Sequence, residues 1–196
     1  MAQAIDSNVL ASAQMRLRFP ILLLWPILLF SFVHQGFSSD NATSETNVVS
    51  KALKTLKIGD LAPGFEVRTL ENNYVSLAEY KGKYVLLNFW ATSCPECLVQ
   101  TPYVRAAYYA ADGDSRFTCI SLCLDATKDA ALKYVEEKRL EWPQGFLGDW
   151  AKATLPADYG IQKIPSIWLI GPDGKVVSKE LRGNAIKAMV EKVLAR

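Results

Sequence analysis

Apolar and polar positions divide the chain into short hydrophobic runs separated by polar turns, and three runs set the frame. Tyr84-Val85-Leu86-Leu87, continuing into Asn88-Phe89-Trp90, is apolar without alternation, as in a strand buried on both faces of a parallel sheet. Residues 117–124 repeat this pattern and end at Asp125. Between them Val99, Tyr103, Ala106, Ala107 and Ala110 recur at helical spacing. This predicts a helix kinked at Pro102 and closed by Gly113. Two buried strands joined by a helix make a right-handed crossover. Thr127 is placed to cap a second helix over 128–140, with Ala131, Leu132 and Val135 as its inner face and Trp142-Pro143 as its stop. A looser segment through Trp150 and Tyr159 leads to the third run, 167–170. The turn Gly171-Pro172-Asp173-Gly174 then pairs that run with 175–181. Upstream, 65–70 and 74–77 read as a small hairpin around Glu71-Asn72-Asn73. The last helix carries Ile186, Met189, Val190, Val193 and Leu194 on one face, with Asn184 as its cap.

The N-terminus departs from this pattern. Residues 19–33 are largely apolar, follow Arg16 and Arg18 and precede a polar stretch, the arrangement of a secretory signal or a membrane anchor. The run is short for the roughly 20 residues that span a bilayer, which favours cleavage, with a small-residue site after Ser38. The expected organisation is a targeting segment over 1–38, a polar linker over 39–56 and one domain over 57–196. Membrane contact is then confined to the N-terminal segment. A formal net charge of +2 gives no electrostatic case for nucleic acid as a partner.

Chemistry concentrates where the first buried run meets the first helix, at Cys94-Pro95-Glu96-Cys97. A thiol at a helix start meets unpaired N–H groups and the positive end of the helix dipole, so Cys94 ionises more easily there. A disulfide closing so short a loop is a poor staple, which favours a redox role. Cys119 and Cys123, four apart on one strand with Ser121 between them, read as small buried hydrophobes. A metal site shared with Cys94 and Cys97 is the sharper alternative. The single histidine, His34, lies in the targeting segment, which excludes Cys–His hydrolase chemistry. Leu87 and Ala91 before Cys94, and Trp90 before Cys97, occupy the places where a peroxidatic Pro-x-x-x-Thr/Ser-x-x-Cys pattern needs its Pro and Thr/Ser.

Strand, Cys-x-x-Cys, Pro-containing helix, a later Ile164-Pro165 before a hairpin and a final amphipathic helix together resemble the thioredoxin fold. The Gly59-Asp60-x-Ala62-Pro63-x-Phe65 segment, the Gly82-to-Thr92 run and Gly171-Pro172-Asp173-Gly174 are similar to the TlpA/ResA-like thiol–disulfide oxidoreductases of the redoxin group. The resemblance implies an α/β architecture, a three-layer α/β/α stack on a mixed sheet with an N-terminal hairpin extension. It implies no cofactor beyond the redox-active Cys94–Cys97 disulfide, with Cys94 as attacking thiol and Cys97 as resolving thiol. Pro165 is then a cis-proline, docking an extended substrate segment with the Ile164 backbone and Trp90. Pro95, Glu96, Asn88 and Gln100 are the expected tuning positions. Ser93, Leu98 and Gln100 depart from the family's usual Trp, basic residue and Glu. Asn88 stands where thioredoxin has a buried Asp, so Glu96 is left as the only acid near the pair. The implied activity is reduction of disulfides in exported proteins, such as apocytochromes or copper-delivery proteins, with electrons from an upstream membrane thiol donor. The location is periplasmic or otherwise extracytoplasmic. The alternative is a redox-inert thioredoxin-like interaction module.

Overall fold

The computed structural model describes residues 55–195. The targeting segment and nearly all of the polar linker lie outside the described residues. The described chain opens with a hairpin, β1 (Glu66–Arg68) and β2 (Tyr74–Ser76), in which Val67 faces Val75. There follow β3 (Tyr84–Trp90), α1 (Pro95–Ala110), β4 (Phe117–Cys123), α2 (Lys128–Lys138), β5 (Gln144–Phe146) and α3 (Leu155–Asp158). Strands β6 (Ser166–Ile170) and β7 (Val176–Ser178) precede the last helix, α4 (Asn184–Leu194). Strands β3 to β7 form one sheet in the order β5-β4-β3-β6-β7. The β3–β4 and β4–β5 pairs are parallel, whereas β6 runs antiparallel to β3 and β7 antiparallel to β6.

Successive strand residues point to opposite faces, and here both faces are covered, so β3 and β4 read as unbroken apolar runs. On one face Leu86, Cys119 and Leu169 pack against Val104 and Ala107 of α1, Val135 of α2 and Val190 of α4. On the other, Leu87, Phe89, Ile120 and Leu122 pack against Leu155 of α3, Tyr159 and Val75 of the hairpin. The N-terminal extension bonds to both sides of the sheet. Leu70 N–H donates to the Gln144 carbonyl at 2.8 Å, Gly59 N–H to the Val176 carbonyl at 2.8 Å, and Val176 N–H to the Asp60 carbonyl at 2.9 Å.

Several expectations are corrected. Strand β5 and helix α3 fall in the segment read as loose; at three and four residues neither is long enough to show a period. Val99 is 61% exposed and Ala106 is exposed, because α1 turns Cys97, Val104 and Ala107 inward instead. Leu132 is likewise 37% exposed while its neighbour Ala131 is fully buried. Thr127 holds the N-cap position of α2 but makes no capping bond through its side chain. Gly183, not Asn184, is the N-cap of α4, at φ 55, ψ −139, a conformation that suits glycine. Pro102 lies within α1, as the sequence places it.

Gly145 marks where the hairpin meets the sheet, since its neighbours leave no room for a side chain. A Cβ there would stand 2.6 Å from Leu122 Cδ2 and 2.7 Å from Val67 Cγ2. Gly145→Ala should therefore lower stability by about 1–3 kcal/mol. Urea unfolding should show this as a lower midpoint at unchanged slope.

Candidate active site

Strand β3 ends at Trp90, and Ala91-Thr92-Ser93 carry the chain to Cys94 at the N-cap of α1. Pro95 takes the first helical position, where its missing N–H would have had no partner within the helix. Cys94 is extended, at φ −103 and ψ 101, and its Sγ accepts the Cys97 N–H at 3.2 Å. The sulfur itself therefore serves as the helix cap. That same N–H favours negative charge on Sγ whenever the thiol is reduced. Cys94 and Cys97 form a disulfide with their Cα atoms 5.3 Å apart. The pair is unequal, since Cys94 is half-buried whereas Cys97 is 3% exposed and packed into the core.

The opposite wall comes from β6. Antiparallel pairing sets Phe89 against Ser166, so the residues just before β6 arrive beside the residues just after β3. The Ile164–Pro165 peptide is cis, and the Ile164 carbonyl oxygen lies 3.7 Å from Cys94 Sγ. The segment 181–183 braces this wall from behind. Leu181 N–H donates to the Ile167 carbonyl at 3.1 Å, the Arg182 guanidinium donates to the Pro165 carbonyl, and Gly183 N–H donates to Gln100 Oε1 at 2.7 Å.

The structure thus brings Cys94, Cys97, Ile164 and Pro165 together, with Glu96 exposed on the first turn of α1. Gln100 is committed to Gly183 and joins α1 to the start of α4. Asn88 lies in the sheet interior, where its Nδ2 donates to Ser121 Oγ at 3.3 Å; Ser121 also accepts Trp142 Nε1–H at 2.8 Å. Trp90 as a substrate contact is corrected. It is 3% exposed and its ring lies 5.4 Å from that of Tyr134, so it walls the core behind the pair instead of facing solvent.

Sequence reasoning missed two anchors. Asp125 is 7% exposed, and its carboxylate accepts Thr92 N–H and Thr92 Oγ1–H, each at 3.0 Å, fixing the loop that delivers Cys94. Its signal was available, because a carboxylate ends an apolar run at the carboxyl end of a parallel strand, where α/β sites form. Arg182 gave no comparable signal. Cys119 and Cys123 are free and buried. They sit opposite Leu86 and Trp90 in the sheet register, and the Cys123 thiol donates to Asp125 Oδ2 at 3.2 Å. Burial pushes both thiols well above the ordinary cysteine range. Among the described residues no group of three His, Cys, Asp or Glu side chains is arranged to hold a metal ion.

Residues 58–179 match the AhpC/TSA family. The chain is 34% identical over 143 residues to the thiol-disulfide oxidoreductase ResA of Bacillus thuringiensis subsp. konkukian, spanning 72% of this chain and 79% of that one. With ResA of Bacillus anthracis it shares 31% identity over 166 residues, 84% and 85% of the two chains. The thioredoxin domain of a thiol-disulfide oxidoreductase from Bacteroides vulgatus superposes at TM-score 0.66 with 37% identity, covering 71% of this chain and 99% of that domain. A thiol:disulfide interchange protein from a Bacteroides species gives TM-score 0.66 and 36% identity, over 72% and 92%.

The thiols should separate by accessibility and ionisation. With the disulfide reduced, iodoacetamide at pH 8 should label Cys94 first. It should leave Cys119 and Cys123 untouched until the protein is unfolded, because their raised pKa values deplete the reactive thiolate. Peptide mass mapping before and after denaturation checks this, and rapid native labelling of Cys119 or Cys123 would contradict it.

Proposed function

The chain belongs to the AhpC/TSA family and is a thiol–disulfide oxidoreductase, and on that premise we propose that it reduces disulfides of exported proteins outside the cytoplasm. The observation that carries this reading is the unequal pair facing Ile164. Cys94 is reachable, capped by an N–H and beside a backbone carbonyl, while Cys97 waits behind it in the core.

In the reduced enzyme the Cys94 thiolate attacks one sulfur of a substrate disulfide, and the other substrate sulfur leaves as a thiolate that takes up a proton. Cys97, after giving up its proton, then attacks Cys94 Sγ. The second substrate thiol is released and the Cys94–Cys97 disulfide forms. Two electrons pass from the enzyme dithiol to the substrate, and an upstream thiol donor at the membrane restores the dithiol. The extended substrate docks along the half-buried Ile164, whose carbonyl borders the attacking sulfur, while the buried cis Pro165 shapes that edge from beneath. Glu96 stands exposed between the two cysteines on the first turn of α1. Asn88 and Gln100 shape the surroundings through the bonds they make to Ser121 and Gly183. The places of a peroxidatic Pro and Thr/Ser are filled by Leu87 and Ala91 before Cys94, which favours protein disulfides over peroxides as substrates.

Arg16 and Arg18 ahead of residues 19–33 support delivery across or into a membrane. No helix among the described residues is long and apolar enough to cross one. N-terminal sequencing of protein recovered from cells should find a start near Ser39, or an intact chain in the membrane fraction. An intact chain in the cytosol contradicts the proposed location.

The assignment of roles has a direct test. Cys97→Ser should accumulate mixed disulfides with its substrates, visible as reductant-sensitive bands on gels, whereas Cys94→Ser should accumulate none. Equal trapping by the two variants would refute the order of attack.

A further inference from the structure

Beside Pro165 opens a cavity of about 610 Å³ whose lining includes Lys163, Ser166, Lys179, Glu180 and Arg182. Three of these side chains are cationic and one is anionic. The two cations deeper in the wall have structural duties. Lys179 donates to the Leu56 carbonyl at 2.8 Å and lies over the Trp168 ring, and Arg182 donates to the Pro165 and Leu181 carbonyls. Lys163, by contrast, is exposed and forms no hydrogen bond or ion pair with a described residue. It immediately precedes Ile164, the residue whose carbonyl borders Cys94 Sγ.

We propose that this cavity is a substrate subsite for an acidic side chain, filled by an Asp or Glu flanking the reactive cysteine of an extended substrate, with Lys163 as its direct partner. The inference rests on the reading of Cys94 and Ile164 as the substrate-docking edge and adds the charge of what docks there. A peptide laid along Ile164 and Pro165 passes this opening within a residue or two of its cysteine, since strand residues advance only about 3.3 Å each. Lys179 and Arg182 are held in place by carbonyls, so their charge is fixed before binding, and only Lys163 must be ordered by the ligand. Glu180 at the rim disfavours a second acidic group and makes the subsite suited to one carboxylate.

The test uses pre-reduced protein and three synthetic peptide disulfides that differ only in carrying Glu, Gln or Lys on either side of the cysteine. One protein dithiol reduces one peptide disulfide to two peptide thiols, so single-turnover rates need no other reductant. At low ionic strength the Glu peptide should react about three- to fivefold faster than the Gln peptide, the range of a partly exposed ion pair, and the Lys peptide slower still. In about 0.5 M salt the spread should collapse. Lys163→Gln should reduce the Glu-over-Gln ratio toward one, and Lys163→Glu should favour the Lys peptide. Equal rates for all three peptides in the wild type, or an unchanged ratio in Lys163→Gln, overturn the subsite while leaving the oxidoreductase reading intact. Failure of the wild type to reduce any of the peptides or a small uncharged disulfide would instead remove the premise.

Discussion

The antiparallel pairing of β3 with β6 is the constraint on which the site depends. A parallel neighbour would have sent the start of β6 to the far end of the sheet. Because Phe89 faces Ser166, the chain leaving β3 and the chain entering β6 pass the same point in opposite directions. The cysteine pair follows one and the cis Ile164–Pro165 peptide precedes the other, so neither loop has to reach for its partner. The flanking pair of β3 with parallel β4 supplies the second requirement by bringing Asp125 to the same end, where it holds Thr92.

The interior around these strands is not purely apolar. Ser121 accepts hydrogen bonds from both Asn88 and Trp142, and Gln144 Nε2 donates to the Trp142 carbonyl at 3.2 Å, linking β3, β4 and β5 through polar groups under the helices. Asn88 Oδ1, Trp90 Nε1 and Gln144 Oε1 have no hydrogen-bond partner. Each unpaired buried polar atom costs on the order of 1–3 kcal/mol. The cluster therefore joins neighbouring strands at a cost in unpaired atoms. It lies on β3, β4 and β5, and β3 is the strand that delivers the cysteine pair.

How much of this was legible in the sequence depended on range. The strands β3, β4 and β6 and the α1 junction announce themselves through unbroken apolar runs meeting Cys94 and Pro165, because both faces of the sheet are covered and the pattern is strong. The hairpin and α4 were likewise readable from turn residues and a helical stripe. Val99 and Leu132 misled because local periodicity cannot say which side of a helix meets the sheet; on α1 that was settled by Cys97 turning inward. The bonds of Gln100 to Gly183 and of Arg182 to Pro165 span 83 and 17 positions, and nothing local to either residue foretells them. Asp125 was visible as the end of a strand, but its hold on Thr92, 33 positions away, was not.

The chain before β3 does more than add a hairpin to the fold. A sheet's outermost strands normally expose rows of unused N–H and carbonyl groups that invite pairing with other extended chains. Here the bonds from Leu70 to Gln144, with the isolated bridge between Thr69 and Gly145, occupy the outer side of β5. The bonds linking Gly59, Asp60 and Val176, with the bridge between Leu61 and Lys175, occupy that of β7. A protein that acts on disulfides of other chains has reason to close these borders. An extended visitor that finds both sides of the sheet taken is left with the backbone at Ile164, where the sulfur is, and is less prone to zip onto the enzyme as an added strand.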